Sequence, residues 1–267
     1  MQPNTSLTDL SVLLNSVAPV DQVGSLERIA KIQSRSLKGP AKIQGLRMAL
    51  SMIDLTTLEG KDTPSKVRQL CYKAQNLHCQ SPELPTVAAV CVYPTMVGVA
   101  KKALIHSSIK VASVSTAFPS GQAPFEVKKL DTLYAIEHGA DEIDMVINIG
   151  MLKSKDFKYV ENEIIAVKNE LGDRVLKVII ETCYLTDEEK RVVCKIAMKA
   201  GADFVKTSTG FGTNGATIAD VKLIKEVLKG QLSIKASGGI SDKETALSYI
   251  SLGVTRIGTS SGIKIVT

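Results

Sequence analysis

Eight short apolar runs of β type, separated by amphipathic helical stretches, predict an α/β chain folded as a (β/α)8 TIM barrel with an N-terminal helical extension. Two further observations favour a barrel over an open doubly wound sheet. Glycine recurs at the helix-to-strand turn in Gly139-Ala140-Asp141, Gly201-Ala202-Asp203 and Gly253-Val254-Thr255, which marks repeated αβ units. No G-x-G-x-x-G run opens a first βα unit, as a dinucleotide-binding sheet would require.

Residues 1–40 are expected to form the extension and 41–267 the barrel. Leu7–Leu14 and Leu26–Ile32 read as helices, and Ser36-Leu37-Lys38-Gly39-Pro40 as a break before another. Strands are expected at Ser51–Leu55, Thr86–Val92, Ile109–Ser115, Glu142–Asn148, Val175–Glu181, Phe204–Thr207, Ser233–Ala236 and Arg256–Gly258. Helices are expected at Pro64–Leu77, Thr95–His106, Phe125–His138, Asp156–Leu171, Asp187–Ala200, Ile218–Leu228 and Asp242–Ser251. Thr186, ahead of Asp187, Glu188 and Glu189, suits an N-cap with an acidic first turn. Ser241, three residues before Glu244, has capping-box spacing. Gly139, Gly172, Gly201 and Gly253 fall just past helix ends, where the chain needs positive φ. Few residues follow the last strand, so the eighth outer helix should be short.

The totals narrow the function. Hydrophobic content of 44% and charged content of 22% suit a globular chain with a full core. Lys+Arg 33 against Asp+Glu 27 gives +6, which suits a small anionic substrate. No basic run is interleaved with aromatics, which are only 4%, so nucleic acid is not an expected partner. No apolar run approaches the roughly 20 residues of a membrane helix. The N-terminus lacks a basic segment leading an apolar stretch, and Asp9 argues against an organelle transit peptide. Cys71, Cys79, Cys91, Cys183 and Cys194 show no C-x-x-C pairing and read as reduced thiols of a cytoplasmic protein.

Barrel chemistry sits at the C-terminal ends of the strands. Lys206 ends the sixth expected strand, in Phe204-Val205-Lys206-Thr207, and Lys235 the seventh, in Ser233-Ile234-Lys235-Ala236. An ammonium in an apolar wall is costly, and a second one nearby makes it costlier, so one of the two should become a neutral amine near pH 7. Such an amine attacks carbonyls to form a Schiff base. Spacing does not decide which lysine does so. Period two puts Asp144, Val146 and Asn148 on one strand face, where Asp144 could balance the lysines and shuttle protons. Thr182 and Cys183 follow the fifth strand. Bland readings stand beside these: a snorkelling lysine, an aspartate that bonds a loop, and Cys91 as a small core residue.

Glycine turns follow the last three strands at Gly210, Gly238-Gly239 and Gly258-Thr259-Ser260-Ser261. Loops after strands seven and eight commonly hold phosphate in such barrels, on free backbone N–H groups. Tight βα turns alone would also use glycine, but the joint placement favours a phosphorylated substrate. His78, His106 and His138 fall near helix C-termini and none at a strand end, so a metal-dependent aldolase, which wants imidazole ligands, is not expected.

On these residues the chain resembles the deoxyribose-phosphate aldolases, a family of class I, Schiff-base aldolases on a TIM barrel. The matching segments are Ile53-Asp54-Leu55-Thr56-Thr57-Leu58, Ala89-Val90-Cys91-Val92-Tyr93-Pro94, Gly139-Ala140-Asp141-Glu142-Ile143-Asp144, Lys177-Val178-Ile179-Ile180-Glu181-Thr182, Phe204-Val205-Lys206-Thr207-Ser208-Thr209-Gly210 and Lys235-Ala236-Ser237-Gly238-Gly239. The resemblance spans about residues 45 to 267. It implies that Lys206 forms the imine, that Lys235 lowers its pKa, and that Asp144 relays protons through a water. It places Asp54, Thr56, Cys91 and Thr209 against the sugar, and Gly210, Gly238, Gly239, Gly258, Ser260 and Ser261 at the phosphate. The implied reaction is reversible cleavage of 2-deoxy-D-ribose 5-phosphate to acetaldehyde and D-glyceraldehyde 3-phosphate, with no metal or cofactor; a homo-oligomer is left open. The alternatives are a Schiff-base barrel for another phosphorylated sugar and a catalytically silent scaffold. Phe211 and Ser241 stand where members of the family carry cations near the phosphate, and the chain ends Ile265-Val266-Thr267 without the tyrosine tail some members use.

Overall fold

The computed structural model describes residues 21–33, 39–76 and 84–262; Leu7–Leu14, His78, Cys79 and the Ile265-Val266-Thr267 tail lie outside them. The chain divides into two compact units, Met1–Ile43 and Gln44–Thr267. In the first, the helix Gln22–Gln33 covers the expected Leu26–Ile32. A second helix, Pro40–Ser51, follows Gly39.

In the second unit eight parallel strands close into a barrel in chain order. They are β1 Ile53–Thr56, β2 Ala89–Val92, β3 Lys110–Ser115, β4 Glu142–Val146, β5 Val175–Ile179, β6 Phe204–Lys206, β7 Ser233–Ser237 and β8 Arg256–Thr259. β1 pairs with β8, Ile53 opposite Ile257, so no edge is left unpaired. β4 is buried on both faces. Its Ile143 and Met145 join the apolar layer beneath the helices, which leaves Glu142 and Asp144 to point inward. The barrel interior is not uniform. β2 and β3 fill it with Ala89, Cys91, Ala112 and Val114, packed under Leu58. The remaining strands fill it with charge.

The helices follow the expected pattern with informative departures. Thr186 caps Asp187–Lys199, and the Glu189 side chain returns the bond, a full capping box. Ser241 is not a cap. Asp242 is, its carboxylate accepting from the Thr245 N–H at 2.8 Å, because the helix Lys243–Ser251 starts one residue later than the spacing suggested. The segment expected as one helix over Thr95–His106 opens as a 3-10 turn, Pro94–Met96, and ends at Ala103. A short helix, Ile149–Lys153, capped by Asn148, was too brief to show a period in sequence. Gly139, Gly201 and Gly253 adopt φ of +101°, +79° and +96° at the helix-to-strand turns.

Candidate active site

Strand register assembles the charges. Across β4 and β5, Asp144 lies opposite Lys177. Lys206 lies opposite Lys235 across β6 and β7, and Lys235 opposite Arg256 across β7 and β8. Asp54 enters from β1. The Arg256 guanidinium bonds Asp54 Oδ1 at 2.7 Å and both oxygens of Glu142 at 3.0 Å. Its Cζ lies over the Phe204 ring, 5.6 Å from the ring centroid. Lys177 bonds Glu142 at 2.6 Å and Asp144 Oδ1 at 2.7 Å, with Asp54 at 3.5 Å. Lys235 bonds Asp54 and, at 2.7 Å, Asp144 Oδ2. Lys206 bonds the same Asp144 Oδ2 at 2.8 Å and has no other carboxylate among the described residues.

Three carboxylates thus meet four basic groups in the barrel interior. A buried charge persists only where it is paired, so one base holds its proton poorly. It is the base with a single, shared carboxylate oxygen. Burial depresses the Lys206 amine below the ordinary lysine value; Asp144 opposes this and the Lys235 cation adds to it. Burial acts against Lys235 too, but Asp144 and Asp54 outweigh it and hold its pKa up. Lys177 is held up in the same way by Asp144, Asp54 and Glu142. Asp144 resists burial because Lys177, Lys206 and Lys235 surround it, and its carboxyl lies well below the usual range.

A cavity of about 760 Å³ opens above this network, at the C-terminal ends of the strands. Lys206 lines it, while Lys235 and Asp144 lie beneath. The one lysine of the network whose pKa is lowered is therefore also the one within reach of a ligand. Thr56, Thr209, Gly210, Gly238, Gly239, Gly258, Ser260 and Ser261 also line the cavity. Asp54 and Cys91 do not. Both are fully buried, Asp54 as a partner of Lys235 and Arg256, Cys91 in the apolar half of the barrel. Burial raises the Cys91 thiol pKa, which fits a core residue.

The turns that edge the cavity demand glycine. Gly210, Gly238 and Gly239 have φ of +90°, +85° and +76°. A Cβ on Gly215 would stand 2.2 Å from the Gly238 carbonyl oxygen, so two loop backbones meet where side chains cannot fit. Gly210-Phe211-Gly212-Thr213-Asn214-Gly215 has G-x-G-x-x-G spacing, yet it follows β6 and reaches no helix until Ile218. Glu181 holds this loop in place. It sits at φ +52° and accepts from the Thr209 hydroxyl and, at 3.2 Å, from the Thr209 N–H. Thr182 and Cys183 form a 3-10 turn beside it and do not line this cavity.

Several members of the site carried no sequence signal of their own. Lys177, Glu142 and Arg256 lie mid-strand or at strand starts, where a charge reads as a surface residue. Lys66 and Lys73, on the helix Pro64–Gln75, line the cavity and bring cations that the loops around Phe211 and Ser241 lack. They are one helical face apart by seven residues, and only the cavity distinguishes them from other exposed lysines. Of the histidines, His138 caps a helix C-terminus and stacks on Tyr134.

A profile of the DeoC/LacD family aldolases matches residues 48–265. The chain is 50% identical over 219 residues to a deoxyribose-phosphate aldolase of Thermococcus kodakarensis, covering 80% of this chain and 93% of that one. It is 49% identical to the same enzyme of Finegoldia magna, covering 80% and 96%. Among solved structures, a tetrameric deoxyribose phosphate aldolase from Aeropyrum pernix superposes with a TM-score of 0.72 at 29% identity, covering 86% and 97%.

Proposed function

The chain belongs to the DeoC/LacD family of aldolases, and from that premise we infer that it reversibly cleaves 2-deoxy-D-ribose 5-phosphate to acetaldehyde and D-glyceraldehyde 3-phosphate. The observation that carries the chemistry is the position of Lys206, the network amine that lines the cavity and shares one carboxylate oxygen.

In this reading the neutral Lys206 amine attacks C1 of the open-chain sugar, and uptake of one proton with loss of water gives a protonated imine. A base takes the proton of the C3 hydroxyl, the C2–C3 bond breaks, and its electron pair moves into the imine to leave an enamine. D-glyceraldehyde 3-phosphate departs. The enamine is protonated at C2, and water hydrolyses the resulting imine to acetaldehyde and free Lys206. Asp144, an anion bonded to Lys206, accepts protons through a water and returns them. Lys235 stays cationic and keeps Lys206 from holding its own proton. The phosphate rests on N–H groups of the Gly210, Gly238-Gly239 and Ser260-Ser261 turns, with Lys66 and Lys73 supplying the positive charge. Asp54 acts from below by pinning Lys235 rather than by touching sugar.

The exposed Val127, Leu130 and Tyr134 follow one face of the helix Phe125–Glu137 and suit contact with a second copy of the chain; light scattering on the purified protein tests that. Free cysteines suit a reducing, cytoplasmic setting.

Borohydride reduction in the presence of deoxyribose 5-phosphate, followed by peptide mass mapping, tests the mechanism. The expected adduct is on Lys206. An adduct on Lys235, or none with a turned-over substrate, refutes it.

A further inference from the structure

Between the imine carbon and the phosphate, the substrate carries two hydroxyls. The C3 hydroxyl must surrender its proton as the C2–C3 bond breaks, so it faces the base. The C4 hydroxyl survives the reaction and needs a partner of its own.

Four buried residues that carry hydroxyls are among those lining the cavity, Thr57, Thr209, Ser237 and Thr259. Three are already engaged. Thr57 donates to Asp62 at 2.9 Å, Thr209 to Glu181, and Thr259 to the Ile240 carbonyl at 2.6 Å. Ser237 is only 5% exposed, yet its Oγ meets no protein group among the described residues. Its backbone is fully committed. The N–H donates to Thr207 Oγ1 at 3.1 Å, and the carbonyl accepts from the Ala216 N–H at 2.9 Å. The neighbouring Gly258 leaves the hydroxyl its space, since a Cβ there would stand 2.9 Å from Ser237 Oγ. A buried hydroxyl without a partner is destabilising unless a ligand or solvent completes it.

We propose that Ser237 is a substrate-binding residue whose hydroxyl receives the C4 hydroxyl of the sugar, which is the C2 hydroxyl of D-glyceraldehyde 3-phosphate. The proposal rests on the aldolase reading above. Position supports it. Ser237 lies two residues past Lys235, on the same face of β7, and directly before the Gly238-Gly239 turn. C4 likewise lies between the reacting carbons and the phosphate. A site that bonds a substrate hydroxyl discriminates against the analogue that lacks it.

The test is carbon–carbon bond formation, with acetaldehyde as donor and two acceptors, D-glyceraldehyde 3-phosphate and 3-oxopropyl phosphate, which differ in that hydroxyl alone. Wild type and Ser237→Ala are compared. The expected result is a fall in kcat/KM of about tenfold for glyceraldehyde 3-phosphate, the equivalent of one neutral hydrogen bond. For 3-oxopropyl phosphate the change should stay under about twofold. Because both acceptors are measured on the same protein, any loss of folded enzyme cancels in the ratio. Equal loss on both acceptors, or none on either, overturns the role of Ser237 and leaves the aldolase reading standing. A wild-type protein inert towards both acceptors overturns the aldolase reading, and the assignment of Ser237 with it.

Discussion

Removing the Lys235 charge should raise the pKa of Lys206 and move the acid limb of the pH–rate profile upward. Lys235→Met is the perturbation, since it keeps length and deletes the cation. Lys206 and Lys235 bond one oxygen of Asp144 at 2.8 and 2.7 Å. Sharing that oxygen holds their nitrogens within about 5.5 Å of each other, and two unit charges about 4–5.5 Å apart interact by about 3–4 kcal/mol at an effective dielectric of about 20. At about 1.4 kcal/mol per pKa unit this bounds the shift near 3 units. Water entering beside the methionine screens the charges that remain, so we expect about one to three units. The sign follows from the chemistry. Only the neutral amine attacks the aldehyde, so a higher pKa lowers kcat/KM about tenfold per unit below it, and alkaline pH restores the rate. The assay is kcat/KM for deoxyribose 5-phosphate across the pH range, with borohydride trapping at each pH. A loss of rate that is uniform in pH, with the acid limb unmoved, would refute the coupling.

Lys206→Ala should abolish both turnover and trapping, and near-full activity in the purified variant would show that another amine carries the imine. Chelation by EDTA should leave the rate unchanged, because Asp54, Glu142 and Asp144 are engaged by lysine and arginine; loss that zinc restores would revive a metal mechanism. Lys66→Gln with Lys73→Gln should raise KM for the phosphorylated sugar by about three- to tenfold, more at low salt, and leave unphosphorylated deoxyribose unaffected; kinetics with both sugars check this. Lys128→Met should destabilise the fold by about 3–5 kcal/mol, since it strands the buried Glu163 that it bonds at 2.5 Å; denaturant melts measure it, and the double variant Lys128→Met, Glu163→Met should be milder. Asp54 and Asp144 titrate lower folded than unfolded, so their stabilisation is full above roughly pH 4 and is lost as pH falls further; an Asp54→Asn variant whose melts lose stability as steeply in acid would count against it.

The amino-acid sequence specified the barrel, because each βα unit is encoded locally. Apolar strand runs, cap residues such as Thr186, and glycines at Gly139, Gly201 and Gly253 act within a few residues of one another, and their repetition sets the count of strands. It also determined that Lys206 and Lys235 end adjacent strands, since strand order follows chain order in this fold. The glycine turns after the last three strands were legible for the same reason. Tertiary structure decided what those residues do to each other. Lys177, Glu142 and Arg256 are ordinary strand charges until closure of the barrel brings six strands' inward faces within bonding distance. Only then can three carboxylates be set against four bases, and only then does Lys206 emerge as the amine with one shared partner. Asp54 and Cys91 lie in the barrel interior, off the cavity lining, and the sequence did not show that depth because inward direction and depth depend on register, which a single strand does not encode. Lys66, Lys73 and Ser237 carry no local signal either. Their significance lies in facing one cavity, and a cavity is made by elements far apart in the chain.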